Sequence, residues 1–438
     1  MKRNRQRKLH QLLALVLSGM GTTTTMAAGP LVQGGGSSLV QPLLGTAIQP
    51  ATEIGLFGTS EANFSYYPVG SGSGQEAFFR NQPSFLNPQL TGSVYFANSD
   101  AALTTAQITS YQNALGATSG PLIQIPYLIT PIAIAMVNAP AVTSATTPQT
   151  TPGQAHSIAL NDDDLCGIFS GSLSNWNQVM DPEKLTRYPT AAIQVVYPAQ
   201  ASGTTELMTR HLAAVCPASS YTKAGITFVD SMMLASSFPN GMPSNFVAAT
   251  SSSGVQRQLI SNLGAGTAAV AYLSPAYTNT FLAPSSASAS FQLQVASLLN
   301  SRNLIYYAPT GPNATTAVGL LNMPVIRLAA AKPANWVPTS GRAYMELSNP
   351  HWGYPVSGTS QIILSQCYTD PGITTAVHDF LNDHYTNPAF AALIRGYGFD
   401  PVPESFQAPI SNDFLSNPRG WNLDIGNASA CSGTVTGR

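Results

Sequence analysis

Two α/β lobes, each a mixed, mainly parallel sheet flanked by helices, are what this sequence predicts, on three observations. Short apolar, strand-like runs alternate with helix-like stretches along most of the chain, the pattern of parallel sheets covered by helices. About 410 residues follow an N-terminal leader, more than one core commonly holds. Glycine- and serine-rich turns recur where a strand-like run gives way to a helical one, which is where open α/β sheets place their ligands.

Residues 1–28 read as the leader. The basic start Met1-Lys2-Arg3-Asn4-Arg5-Gln6-Arg7-Lys8 precedes the short apolar run Leu12-Leu13-Ala14-Leu15-Val16-Leu17 and small residues up to Ala27-Ala28. That is a secretory signal cut near Ala28, with an apolar part too short for a membrane anchor. The best later apolar run, residues 127–137, contains Pro131 and reads as strand, and no cysteine near the cut offers a lipid anchor. Five of the 18 basic residues lie in the leader, leaving 13 against 19 acids, a net charge near −6. An acidic, charge-poor chain lacks the basic surface that nucleic acid requires. Its four cysteines, Cys166, Cys216, Cys367 and Cys431, form no Cys-x-x-Cys, so a zinc site is not expected. In an oxidising compartment they predict two disulfides. Of three pairings, Cys166–Cys216 with Cys367–Cys431 is favoured because it joins sequence neighbours. Loops of about 50–65 residues would contribute roughly 4 kcal/mol each in the chain-entropy model.

In chain order, Gly34-Gly35-Gly36-Ser37-Ser38 reads as a glycine turn opening a helix over residues 39–44, and residues 63–69 alternate like a strand. Gly70-Ser71-Gly72-Ser73-Gly74 opens a second helix. After the strand 93–97, Ser99-Asp100 is expected to cap a helix over 101–115. Residues 123–137 read as extended, broken at Pro126 and Pro131, and the Thr-, Pro- and Ala-rich residues 139–154 as a surface loop. Asn161-Asp162-Asp163-Asp164 caps a short helix, with acids suited to the positive helix end; consecutive rather than alternating acids argue against a calcium loop. The strand 193–197 leads through Ser202-Gly203-Thr204 into a helix over 207–215. Residues after 227 mix helix and strand, 351–365 look extended, and 374–384 form a helix with its polar face outward. Trp176, Trp336 and Trp352 are read as core.

The turns near Ser38, Ser71 and Ser202 each offer hydroxyls and free backbone N–H groups at a positive helix end, and converging helix starts suit an anion. Asp100 fits such a site only if the ligand carries a proton, because a carboxylate accepts a hydrogen bond from a protonated oxyanion and repels one with none to give. Phosphate keeps a proton at neutral pH and sulfate does not. Enzyme motifs fare worse. Gly-x-Ser-x-Gly is absent around Ser71 and Ser73, no lysine follows a glycine turn as in a P-loop, and the histidines His10, His156, His211, His351, His378 and His384 are scattered. No catalytic residue, metal ligand or cofactor is assigned.

With those motifs in order, the chain resembles the DING family of phosphate-binding proteins, relatives of the substrate-binding component of phosphate ABC transporters. The resemblance is carried by Gly34-Gly35-Gly36-Ser37-Ser38-Leu39, Val69-Gly70-Ser71-Gly72-Ser73-Gly74, Ser99-Asp100, Leu165-Cys166-Gly167-Ile168-Phe169-Ser170-Gly171 with Trp176, and Ser202-Gly203-Thr204-Thr205-Glu206-Leu207. It continues through Tyr272-Leu273-Ser274-Pro275, Asn335-Trp336-Val337-Pro338, Gly353-Tyr354-Pro355, Ser365-Gln366-Cys367-Tyr368 and Ile425-Gly426-Asn427. Residues 139–154 and 276–330 match poorly. The resemblance implies a type II periplasmic-binding-protein-like fold with a hinge of two crossover strands, the same two disulfides, and a ligand set of Ser38, Leu39 (through its amide), Ser71, Asp100, Ser202, Gly203 and Thr204. It places lobe 1 at 29–128 and 351–438 and lobe 2 at 129–350.

Three departures stand out. Leu31-Val32-Gln33-Gly34 replaces the family's Asp-Ile-Asn-Gly start, and Ser38 stands where most relatives have Thr. The family also places an Arg after the strand preceding Ser-Gly-Thr, with an acid two positions on, and here Pro198 and Gln200 occupy those positions. Both charges go together, so neither is left unpaired. The expectation is extracytoplasmic binding of phosphate or a similar protonated oxyanion by a monomer, periplasmic or secreted, that serves an ABC permease or scavenging. The alternatives are a secreted interaction or adhesion protein with an altered site, and a phosphatase-like hydrolase.

Overall fold

The computed structural model describes residues 29–280, 282, 285, 291–319 and 321–438; the leader expected at 1–28 lies outside the described residues. The strands are β1 (Leu31–Gly36), β2 (Asn63–Tyr67), β3 (Phe96–Ser99), β4 (Leu122–Pro131), β5 (Ala133–Val137), β6 (Ala159–Leu160), β7 (Met180–Asp181), β8 (Thr186–Arg187), β9 (Gln194–Pro198), β10 (Phe246–Ala249), β11 (Ala269–Leu273), β12 (Gln294–Val295), β13 (Ser297–Asn300), β14 (Ile305–Tyr307), β15 (Ser357–Ser365) and β16 (Asp400–Pro401). A 6-stranded sheet in the order β16-β4-β15-β3-β1-β2 forms the core of lobe 1, and a 5-stranded sheet in the order β10-β9-β11-β5-β12 that of lobe 2.

The sheets are mixed rather than mainly parallel. β1 pairs parallel with β2 and β3, and β9 with β10 and β11, but every pairing of β4, β5 and β15 in these sheets is antiparallel. The cause is the crossover. β4 runs out of the first sheet and, past Ile132, straight into the second as β5. The returning chain passes alongside, with the Ile132 amide donating to Val356 O at 2.8 Å and the Tyr354 hydroxyl to Ile132 O at 3.0 Å. The expected break at Pro131 is where β4 ends, with β5 starting at Ala133, whereas the break expected at Pro126 is misplaced because that proline lies within β4. Pro126 is tolerated beside a bulge at Ser360/Gln361, where Tyr127 has no partner in the ladder.

Helices cover both faces of each sheet. Phe380, on the Pro371–Thr386 helix, stacks on Phe64 of β2 at 4.7 Å, and Phe78 of the Ser71–Arg80 helix packs in a cluster with Ala97 and Ile363 on the opposite face. In lobe 2 Val255 and Leu259 cover β9 and β11 from one side, while Leu165 and Leu207 join the main core from the other. Each fully buried aliphatic side chain contributes roughly 1.5–3 kcal/mol. Cys166–Cys216 ties the Asp162–Ser170 helix to the Gly203–Val215 helix, and Cys367–Cys431 ties the end of β15 to the C-terminal coil, each with a Cα separation of 5.5 Å. Both disulfides match the expected pairing.

Several local expectations change. Gly34-Gly35-Gly36 is strand, not turn, because β1 lies so close to its neighbours that a Cβ on Gly36 would stand 2.0 Å from Asn98 O. Only residues Gln41–Leu44 are helical beyond it. Ser99 and Asp100 cap nothing: the next helix starts at Thr105, capped by Thr104 in a reciprocal box with Gln107. The extended stretch expected at 351–365 is strand only from Ser357. Trp176 and Trp336 are core, but Trp352 is 53% exposed. The Asp162–Ser170 helix is capped by Asn161 as expected.

Candidate functional site

Sheet order fixes which loops meet. β1 lies between β2 and β3, and β9 between β10 and β11, all parallel, so in each lobe three carboxyl ends stand side by side. In lobe 1 these ends carry Ser37 and Ser38, Ser71, and Asp100. In lobe 2 they carry Ser202-Gly203-Thr204, Ser252 and Ser274. The two sets face each other.

The first wall is built around Asp100, which is 2% exposed. The Ser37 hydroxyl donates to Asp100 Oδ2 at 2.6 Å and itself accepts from the Leu39 amide at 3.0 Å. Ser360 Oγ lies 2.7 Å from both Asp100 Oδ1 and Asn98 Oδ1, with one hydrogen to share between them. Burial pushes the Asp100 carboxyl up from 3.8 to about 6, against the lowering pull of the Ser37 and Ser360 hydrogen bonds. No basic side chain contributes. Gly70 at φ +94° turns the chain sharply into the Ser71–Arg80 helix, a backbone geometry that favours glycine.

The second wall closes on the first. Ser71 Oγ accepts the Asp100 amide at 3.3 Å and, from the other lobe, the Gly203 amide at 3.1 Å. A Cβ on Gly203 would stand 2.6 Å from Asp100 Cβ, so only glycine permits this approach. Ser202 caps its helix by accepting from the Thr205 amide at 3.4 Å, and Thr204 is buried in the first turn. Ser38 Oγ lies 2.9 Å from Ser252 Oγ and accepts the Ser252 amide at 3.1 Å. The Tyr277 hydroxyl donates to Ser38 O at 2.7 Å, and the Gly72 amide to Ala201 O at 3.3 Å.

Thus Ser38, Leu39, Ser71, Asp100, Ser202, Gly203 and Thr204, singled out in the sequence, lie along one interlobe crevice, with direct bonds joining the tips at 38, 71, 100 and 203. Ser37, Ser252, Tyr277 and Ser360 belong to the same crevice and were not anticipated. Thr250-Ser251-Ser252-Ser253-Gly254 repeats the strand–serine–glycine–helix pattern and could have been found. Ser360, inside a strand, carries no such signal. Pro198 ends β9, and the Gln200 side chain runs along Gly70, with Cγ 3.5 Å from where a Gly70 Cβ would be. The meeting place of the lobes is therefore built from neutral dipoles and the Asp100 carboxyl group, with the Leu39, Gly203 and Ser252 amides directed onto serine hydroxyls. Among the described residues no three His, Cys, Asp or Glu side chains are grouped to hold a metal ion.

Comparison with known proteins points the same way. The model of the PBP superfamily domain matches residues 20–326. Alkaline phosphatase L of Pseudomonas aeruginosa is 31% identical over 423 residues, covering 96% of this chain and 98% of its own length. The crystal structure of a DING protein superposes with a TM-score of 0.74 at 30% identity, over 93% of this chain and 99% of that one. A high-affinity periplasmic phosphate-binding protein, PfluDING, solved with phosphate bound, superposes with a TM-score of 0.72 at 31% identity and the same coverage.

Proposed function

This chain belongs to the PBP superfamily and, within it, to the DING phosphate-binding proteins; from that premise we propose that it binds inorganic phosphate, or a similarly protonated oxyanion, between its lobes and outside the cytoplasm. The observation that carries this reading is the meeting of both lobes at Ser71, whose hydroxyl receives amides from Asp100 and Gly203, beside a buried carboxyl group placed to accept the ligand's proton. Ser38, the Leu39 amide, Ser71, Asp100, Ser202, Gly203 and Thr204 form the proposed ligand set, with Ser252 added from lobe 2. Lobe 1 is proposed at 29–128 and 351–438 and lobe 2 at 129–350, boundaries supported by the chain crossing nearby at Ile132 and Val356. Delivery to a permease and a monomeric state complete the proposal.

Calorimetric titration of the leaderless protein with phosphate, arsenate and sulfate tests it. Phosphate and arsenate should give heat and sulfate none. Absence of heat at millimolar phosphate would remove the assignment.

Hydrolysis of phosphate esters is a second reading, favoured by the name of the Pseudomonas relative and by the Ser37–Asp100 pair, a hydroxyl 2.6 Å from a carboxylate oxygen. Binding is preferred because Ser37 is 1% exposed and its hydroxyl already both donates to Asp100 and accepts from Leu39. Assaying p-nitrophenyl phosphate with and without added divalent metals separates the two, since only the hydrolase turns it over.

A further inference from the structure

Behind the crevice the Gly203–Val215 helix touches lobe 1 a second time. Its first turn meets Ser71 through the Gly203 amide. Two turns on, Arg210, 5% exposed, donates from Nη2 to Ser357 O at 2.9 Å. Ser357 is the first residue of β15 and pairs with Pro131 beside the crossover at Ile132. Three residues further, Ser360 holds the Asp100 carboxylate. One helix of lobe 2 therefore touches both the ligand crevice and the hinge.

The packing at the hinge end is specific. A Cβ on Gly358 would lie 2.5 Å from Leu207 Cδ2 and 2.9 Å from Arg210 Nη2, so β15 has a glycine where the guanidinium and its neighbour press on the strand backbone. Arg210 also faces Glu206 one turn back, with Nη1 3.7 Å from Oε1, while Arg210 Nε has no hydrogen-bond partner. A buried cation with one good bond and one loose ion pair has little reason to exist as a stability device, because desolvation costs a buried charge more than such contacts return. It makes sense as a contact whose value depends on the relative position of the lobes.

We propose that Arg210 is a hinge latch: a positioning residue that pins the ligand-gripping helix to the crossover backbone at Ser357 and so favours the closed arrangement of the lobes. This rests on the proposed reading of the crevice as the ligand site. Burial drives the Glu206 carboxyl up to about 8, Arg210 opposing and Asp230 and Asp100 reinforcing the rise. At 2.9 Å the Ser357 carbonyl is a closer partner for the guanidinium than the Glu206 carboxyl at 3.7 Å.

The test uses the leaderless protein with thiol labels at Gln112→Cys in lobe 1 and Ser261→Cys in lobe 2, both exposed positions. All four native cysteines are paired, so only the new thiols react. The interlobe distance distribution is measured by pulsed electron–electron resonance, with and without phosphate. Arg210→Met should shift the distribution toward longer distances without phosphate and require at least about ten-fold more phosphate to restore the short one. Arg210→Lys, which keeps a donor, should recover most of the wild-type behaviour. If Arg210→Met does not fold, Gly358→Ala displaces the guanidinium without removing it and should show the same shift. Distributions that superimpose on wild type without phosphate overturn the latch. A wild type that ignores phosphate refutes the functional reading instead, and the phosphate-free comparison still judges the latch.

Discussion

Replacing Asp100 with Asn should make the protein more stable at neutral pH while abolishing its preference for a protonated ligand. The folded chain keeps the Asp100 carboxyl at about 6 against 3.8 in the unfolded chain, burial being the cause. The folded-state value is the higher one, so between these two values the native state holds a proton that the unfolded chain has released, and stability falls as pH rises through that window. About two units at about 1.4 kcal/mol each give a deficit of about 3 kcal/mol above pH ~6, absent below pH ~4. Asn carries no charge and escapes the deficit. Its amide N–H must face a serine hydroxyl, which Ser37 or Ser360 can satisfy by rotating to accept, at a cost of about 1 kcal/mol for imperfect geometry. The net expectation is a variant more stable than wild type by about 2 kcal/mol near pH 8 and no more stable near pH 4. Urea unfolding of both proteins, free of phosphate, across that range measures it. A variant no more stable than wild type near pH 8, or a gain that does not depend on pH, would show that the carboxyl is not held under desolvation strain and would undo the argument that Asp100 is poised to accept a ligand proton.

Other expectations follow from the same geometry. Ser71→Ala strips the shared acceptor from the Asp100 and Gly203 amides; each buried orphan costs about 1–3 kcal/mol, so calorimetry should show phosphate affinity down by at least ten-fold. Gly203→Ala, whose methyl would overlap Asp100 Cβ, should abolish phosphate-induced stabilisation in a thermal melt while the phosphate-free melting temperature stays near wild type, because the clash lies between lobes rather than in a core. Pro198→Arg with Gln200→Glu restores the charged pair typical of the family and should tighten phosphate binding by about 2–5 kcal/mol, read by titration, whereas Pro198→Arg alone buries an unpaired charge and should destabilise the fold. Serine at both Cys166 and Cys216 frees the ligand-gripping helix from its neighbour and should lower unfolding stability by about 2–5 kcal/mol.

Much of the crevice was legible in the sequence because its chemistry is local. A serine or glycine at the carboxyl end of a strand, followed by a helix, exposes amides whatever the rest of the chain does, and this marked the tips at 38, 71 and 202. Asp100 was legible for a different reason: an acid among such tips needs an explanation. Its neighbours were not legible. Ser360 reaches Asp100 across 260 residues of sequence, from inside a buried strand where nothing marks it as polar by design. The helix expected straight after Asp100 starts later because Thr104 and Gln107, which were not singled out in the sequence, form the reciprocal box, while Asp100 is turned toward Ser37 and Ser360. Mixed sheets were expected, but antiparallel pairing takes a larger share because strand direction depends on how often the chain crosses between lobes, which hydrophobic periodicity does not encode. Convergence, by contrast, follows once strand order is known. With β1 between two parallel neighbours and β9 between two more, adjacent carboxyl ends lie about 4.8 Å apart, and a tip motif at any one of them implies its neighbours. On that logic Ser252, at the end of β10, and Ser274, whose hydroxyl lies 3.4 Å from Leu39 O, are required members of the same crevice, and substitutions at either should be felt in ligand affinity before they are felt in the fold.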